Sequence, residues 1–130
     1  MAIPKVAVIS GGNRGLGLEI GRQLLCAGVS VMLGSRDAAD GRKAVASIES
    51  EAAQGAEVDS AQLDVASEAS VKAFAAAVEA RFGQCDILIN NAGIMPEARD
   101  GSLLQTSPAM LRDILNVNVV GSVLMCQAFV

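Results

Sequence analysis

Short apolar runs alternate along this chain with longer stretches in which apolar residues recur every three or four positions. The first run, Val6-Ala7-Val8-Ile9, ends at Ser10-Gly11-Gly12 and reads as a buried strand entering a tight turn. Leu16, Ile20 and Leu24 then recur at every fourth position, which predicts a helix with these three facing inward and Gly28 ending it. Residues 29–33 make a second buried strand. Asp37 is placed to cap a helix that carries Ala44, Val45, Ile48 and Ala52 on one face and ends near Gly55. Residues 57–63 alternate loosely and predict a third strand, ending at Asp64. Ser67 caps the next helix, with Val71, Phe74, Ala75 and Val78 at helical spacing and Gly83 as its stop. Ile87-Leu88-Ile89 is a fourth buried strand, followed by Asn90-Asn91-Ala92-Gly93 and a loop carrying Pro96, Glu97, Arg99, Asp100 and Gly101. Ser107-Pro108 opens a last helix, serine as cap and proline at the first helical position. Leu111, Ile114 and Leu115 begin its apolar face, and the helix is read as running to the end of the chain.

Strands that are apolar on both faces, alternating with helices, predict a parallel sheet covered by helices on both sides. Right-handed crossovers make that an α/β doubly wound sheet, here with about four strands, in one domain over residues 1–130. Composition narrows the classes. Hydrophobic residues make up 52% of the chain and the mean hydropathy is +0.42, too apolar for a disordered protein. No uninterrupted apolar run reaches the ~20 residues of a membrane span, and the opening residues lack the layout of a signal peptide, so the cytoplasm is the expected location. A net charge of −4 without a basic stripe argues against nucleic acid as a partner. Cys26, Cys85 and Cys126 lie far apart and the chain has no histidine, which argues against a metal site and reads as reduced, buried cysteines. Tyrosine is absent as well, so proton-transfer groups are scarce.

The most informative stretch is Gly11-Gly12-Asn13-Arg14-Gly15-Leu16-Gly17, between a strand and a helix. Glycines let the backbone turn sharply and admit a bulky ligand, and free N–H groups at a helix start favour a pyrophosphate. Read alone this is a glycine-rich turn; between a buried strand and an amphipathic helix it reads as a phosphate cradle.

The spacing G-x-x-x-G-x-G, preceded by Ser10, resembles the first turn of the short-chain dehydrogenase/reductase family, T-G-x-x-x-G-[IL]-G, with serine in place of threonine. The resemblance extends to Asp64-Val65 after the third strand, to Asn90-Asn91-Ala92-Gly93 after the fourth, and to Asn118 in the last helix. It implies a Rossmann-like fold and an oxidoreductase that moves a hydride between NADP(H) and a carbonyl or secondary alcohol. A non-catalytic NAD(P)-binding module is the alternative. The implied cofactor contacts are Ser10, Gly11, Asn13, Arg14, Gly15, Leu16 and Gly17 at the phosphates, Asp64 and Val65 at the adenine, and Asn91, Ala92 and Gly93 beside the central sheet. Ser35 stands where NAD-using members carry an acid and Arg36 follows it, as in members that use NADP; with Arg14 it can clamp a 2′-phosphate. Asp37, acidic and adjacent, is read as a helix cap.

By the same resemblance Asn118 matches the asparagine of the family's Asn-Ser-Tyr-Lys tetrad, which holds a water in the proton relay. It is expected on the inward side with Leu111, Ile114 and Leu115. The tetrad's serine, tyrosine and lysine have no counterpart among these residues, so a truncated chain without turnover of its own is expected, covering about half of a usual member of roughly 250 residues. The family's habit of packing the last helix here against its copy implies a homo-oligomer, and Met95, Pro96 and Glu97 would border a small-molecule substrate.

Overall fold

The computed structural model describes residues 3–94 and 103–130. Strands β1 (Val6–Ile9), β2 (Ser30–Ser35), β3 (Val58–Gln62) and β4 (Ile87–Ile89) form one parallel sheet in the order β3-β2-β1-β4. Helices α1 (Gly15–Cys26), α2 (Ala38–Ile48) and α3 (Glu68–Phe82) follow the first three strands. The last helix runs from Pro108 to Phe129 in three parts: α4 (Pro108–Leu115), a wider π turn (Asn116–Val120) and α5 (Gly121–Phe129).

Successive strand residues point to opposite faces, and each face has its own core. Val8 and Met32 pack with Leu63, Val65, Val71, Phe74, Val78 and Met125, beneath α3 and α5. Ile9, Val31 and Leu33 pack with Leu25, Ala44, Ile48 and Ala56, beneath α1 and α2. The sheet is therefore doubly wound, as its two-faced apolar strands predict. The predicted caps are present. The Asp37 carboxylate accepts from the backbone N–H groups of Ala39 and Asp40, Ser67 from Ser70, and Ser107 from Met110. Gly83 ends α3 in the left-handed conformation, φ 70°, donating its N–H to Val78 and Glu79 carbonyls.

Several expectations are corrected. β2 runs on to Ser35, because Gly34 and Ser35 continue the pairing with Ala61 and Gln62 of β3. α2 stops at Ile48 and passes into a 3-10 turn, Glu49–Glu51, so Ala52 lies outside it. On α1 the fully buried stripe is Gly17, Gly21 and Leu25; the predicted Ile20 and Leu24 are half-buried against the same core, while Leu16 is 70% exposed. Glycines allow the helix to sit close to the sheet, and that contact has no hydropathy signal. Cys26 and Cys126 are exposed rather than buried; each follows the buried residue of its helix, Leu25 or Met125, and so turns outward. The expected loop around Met95, Pro96, Glu97, Arg99, Asp100 and Gly101 lies outside the described residues.

The last helix differs most. Leu111 and Leu115, expected inside, are exposed, and no residue of α4 is buried. Among the described residues no element covers that face. α5 instead buries Gly121 and Met125, with Gly121 against Val65. The whole helix has a mean hydropathy of 1.4 in its most apolar window, long and apolar enough to cross a membrane by length and composition. A search for unbroken apolar runs misses it because Arg112 and Asp113 interrupt the pattern. Only its second half packs on the protein, through Gly121, Met125 and the edge of Phe129 against Phe74 with ring centroids 6.1 Å apart; most of its length is exposed.

Candidate functional site

In an open parallel sheet, the crevice for a ligand opens at the carboxyl ends of strands whose connections leave in opposite directions. Here that point lies between β1 and β4. Four hydrogen bonds hold it shut at its base. Ser10, 1% exposed, accepts at Oγ from the N–H groups of Asn91 (3.1 Å) and Ala92 (3.0 Å). The Asn91 side-chain amide donates back to the carbonyls of Ser10 (3.2 Å) and Gly11 (3.0 Å). Gly11 sits at φ 63°, where a Cβ would lie 3.0 Å from the Ala92 backbone, so both conformation and space require glycine. The N–H of Gly12 bonds the Gly34 carbonyl at 2.9 Å, anchoring the turn to β2.

Above this base begins α1. α2, α3 and α4 each start with a side-chain cap; α1 follows Arg14, which makes none. The first N–H groups of a helix lack partners within it, so this end offers donors and the positive end of a helix dipole. Gly15, at φ 56°, has nothing within 4 Å of where its Cβ would stand. The result is an open cradle that a side chain at this position would fill.

A cleft of about 630 Å³ spreads from the cradle across the strand ends. Gly11, Asn13, Arg14 and Gly15 form its floor, and Asn91, Ala92 and Gly93 the β4 side. Ser35 and Arg36 border it at the end of β2, and Asp64 and Val65 at the end of β3. Eleven residues predicted as cofactor contacts thus line one cleft. Ser10, Leu16 and Gly17 do not. Ser10 and Gly17 lie beneath the surface as supports, and Leu16 faces outward. The structure adds Asp37, expected only as a helix cap, and Asp40, Leu63, Ile94 and Val117, none of which is expected at the cofactor. Leu63 and Ile94 adjoin predicted residues, a signal available in hindsight from position alone; Asp40 shares the first turn of α2 with its cap.

Two arginines away from the cleft are paired, whereas the two lining it are not, among the described residues. Arg22 is paired with Glu19 and Glu51, and Arg81 with Glu57 and Asp59. Hydrogen bonding from Arg22 holds the exposed Glu19 carboxyl down at about 2. Arg14 and Arg36 are exposed and form no ion pair among the described residues. Buried Ser35 donates its hydroxyl to the Asp37 carbonyl at 2.7 Å. One Asp64 oxygen accepts from the Ala66 N–H at 3.0 Å; the other has no partner among the described residues. Two free guanidinium groups beside an uncapped helix start suit phosphate groups.

Asn118 lies in the π turn, exposed rather than inward. Its side-chain amide pairs with the Ile94 backbone in both directions: Oδ1 accepts from the Ile94 N–H at 2.8 Å and Nδ2 donates to the Ile94 carbonyl at 2.9 Å. The segment after β4 is thereby tied to the helix. Ser122 donates its hydroxyl to the Asn118 carbonyl at 3.3 Å.

A glycine turn at the switch point of a doubly wound sheet, with strand-end polar groups around one cleft, defines a Rossmann-type nucleotide-binding protein. The family model described as short chain dehydrogenase matches residues 5–130, and the chain belongs to that family. It is 35% identical to (+)-neomenthol dehydrogenase of Arabidopsis thaliana, over 98% of this chain and 48% of that protein. An alcohol dehydrogenase of Thermococcus sibiricus, solved with 5-hydroxy-NADP, superposes with a TM-score of 0.86 at 35% identity, covering 98% of this chain and 52% of that one. A metagenomic short-chain oxidoreductase, solved with NADP, gives 0.84 at 34% identity, covering 96% and 54%. The chain therefore spans about half the length of the proteins it matches.

Proposed function

We propose that residues 1–130 form the cofactor-binding portion of an oxidoreductase that uses NADP(H) in preference to NAD(H) on a small carbonyl or secondary-alcohol substrate. The observation that carries this reading is the uncapped start of α1, opened by Gly15 and flanked by the unpaired Arg14 and Arg36. The bound nicotinamide would supply or accept the hydride. The turn from Gly11 to Gly17 would hold the pyrophosphate on backbone N–H groups. Arg36 and Arg14 would receive the 2′-phosphate where Ser35 stands in place of an acid, and Asp64 and Val65 would receive the adenine. Asn91, Ala92 and Gly93 would border the nicotinamide half, and Asn118 would hold a water of the proton relay. Dehydrogenases among the relatives weigh against a module without catalysis. The same reading makes the protein cytoplasmic and self-associating through Pro108–Phe129, whose exposed Leu111, Leu115, Val119 and Val123 would be covered by a second copy.

The test is fluorescence titration with NADPH and NADH. NADPH binds more tightly, and Arg36→Ala weakens it roughly tenfold or more, the scale of a lost charge-assisted hydrogen bond. NADH binding by that variant stays within about twofold, since no such bond is lost there. Tighter binding of NADH by the unaltered protein refutes the cofactor assignment.

A further inference from the structure

Asp40 has no part in the contacts assigned so far, yet it lines the same cleft wall as Ser35 and Arg36. Two acids stand at this corner, and they differ in what they do. The Asp37 carboxylate is committed: its Oδ1 receives the N–H groups of Ala39 (2.7 Å) and Asp40 (3.2 Å) as the cap of α2. The Asp40 carboxylate is exposed and has no partner among the described residues. Its backbone cannot easily withdraw. It sits in the first turn of α2, held by that cap, and the next residue, Gly41, is buried hard against β2 and β3. A Cβ on Gly41 would stand 3.0 Å from Ser60 Oγ and 3.3 Å from Ser35 Cβ. An uncompensated negative charge is thus fixed at the mouth of the cleft, on the wall that presents Arg36.

Resting on the proposed 2′-phosphate site, we propose that Asp40 is a specificity-determining residue that opposes the 2′-phosphate and limits the preference for NADP(H) over NAD(H). Arg36 and Arg14 attract the added phosphate, and Asp40 subtracts from that attraction. A phosphate monoester carries about −1.5 to −2 charges at neutral pH. One carboxylate ~8–10 Å from such a group across water weakens binding roughly threefold at low ionic strength, and salt screens most of the effect. A ligand without the 2′-phosphate does not sense it to the same degree. A first-turn acid also stabilises its own helix, and that role predicts no ligand discrimination at all.

Calorimetric titration of the purified protein with adenosine 2′,5′-bisphosphate and with 5′-AMP separates the two roles, because the ligands differ only in the 2′-phosphate. At low salt, Asp40→Asn tightens the bisphosphate about threefold and Asp40→Lys about tenfold, while 5′-AMP changes by less than half as much in each. In ~0.5 M salt the gains largely vanish. Circular dichroism and thermal unfolding of both variants establish that overall helix content and fold are retained. Unchanged bisphosphate affinity in Asp40→Asn and Asp40→Lys, or equal tightening of both ligands, overturns the inference and leaves the proposed cofactor site standing. If the unaltered protein binds neither ligand, the cofactor reading fails and this inference with it.

Discussion

Gly17→Ala adds one methyl group at the third residue of α1, a change that ordinarily stabilises a helix by up to ~1 kcal/mol. Here it should do the reverse. The new Cβ would stand 2.5 Å from Asn91 Nδ2 and 2.5 Å from the Gly11 carbonyl oxygen. Neither can step aside freely. The Asn91 amide is held by its bonds to the Ser10 and Gly11 carbonyls, and Gly11 is itself pressed on the Ala92 backbone. Relief requires giving up the two amide bonds, about 1 kcal/mol each, or sliding α1 away from the sheet. Two carbonyls left short of a partner add about 1–3 kcal/mol, and the helix preference of alanine returns up to ~1. The net loss is about 2–4 kcal/mol, a fall in Tm on the order of 10 °C for a domain of this size. Thermal and urea unfolding measure it, with a change in midpoint and a constant m-value. A variant as stable as the unaltered protein would refute the close approach of α1 to Asn91.

Two further outcomes follow from the described contacts. Asp37→Ala removes the acceptor for two N–H groups at the start of α2 and should cost about 1 kcal/mol in urea unfolding. Burial pushes the Cys85 thiol pKa up, so at any given pH near 8 less of it is thiolate, the reactive form, than at its ordinary value. Timed alkylation read by mass spectrometry should modify exposed Cys26 and Cys126 before Cys85; Cys85 reacting first would contradict the burial.

The parts of the fold that could be read from the sequence are those whose burial is made by apolar side chains. β1 is an unbroken apolar run because both its faces are covered, whereas β4, equally apolar but at the sheet edge, is only half-buried; the caps Asp37, Ser67 and Ser107 are polar residues with one local job. Some readings failed where contacts are made by backbone: Gly17 and Gly21 bring α1 onto the sheet with no apolar side chain to mark them. Others failed because apolar spacing does not say which face is covered, as at Leu111 and Leu115. Most of the cleft was legible because its glycines and strand-end residues are close in sequence to each strand. Asp40, Leu63, Ile94 and Val117 enter it through folding geometry, and no spacing rule distinguishes them from their neighbours. Asn118 stood out only by resemblance, and its amide partners, both on Ile94, lie 24 positions away and outside any local pattern.

The π turn over Asn116–Val120 carries a consequence for everything on either side of it. Such a turn accommodates one surplus residue within a continuous rod, and one residue is about 100° of rotation. The first half of the rod and the second therefore keep different azimuths: Gly121 and Met125 look into the protein while Leu111 and Leu115 look away. Excising a single residue there would make an ordinary helix and leave its two ends out of phase with the surfaces they now address.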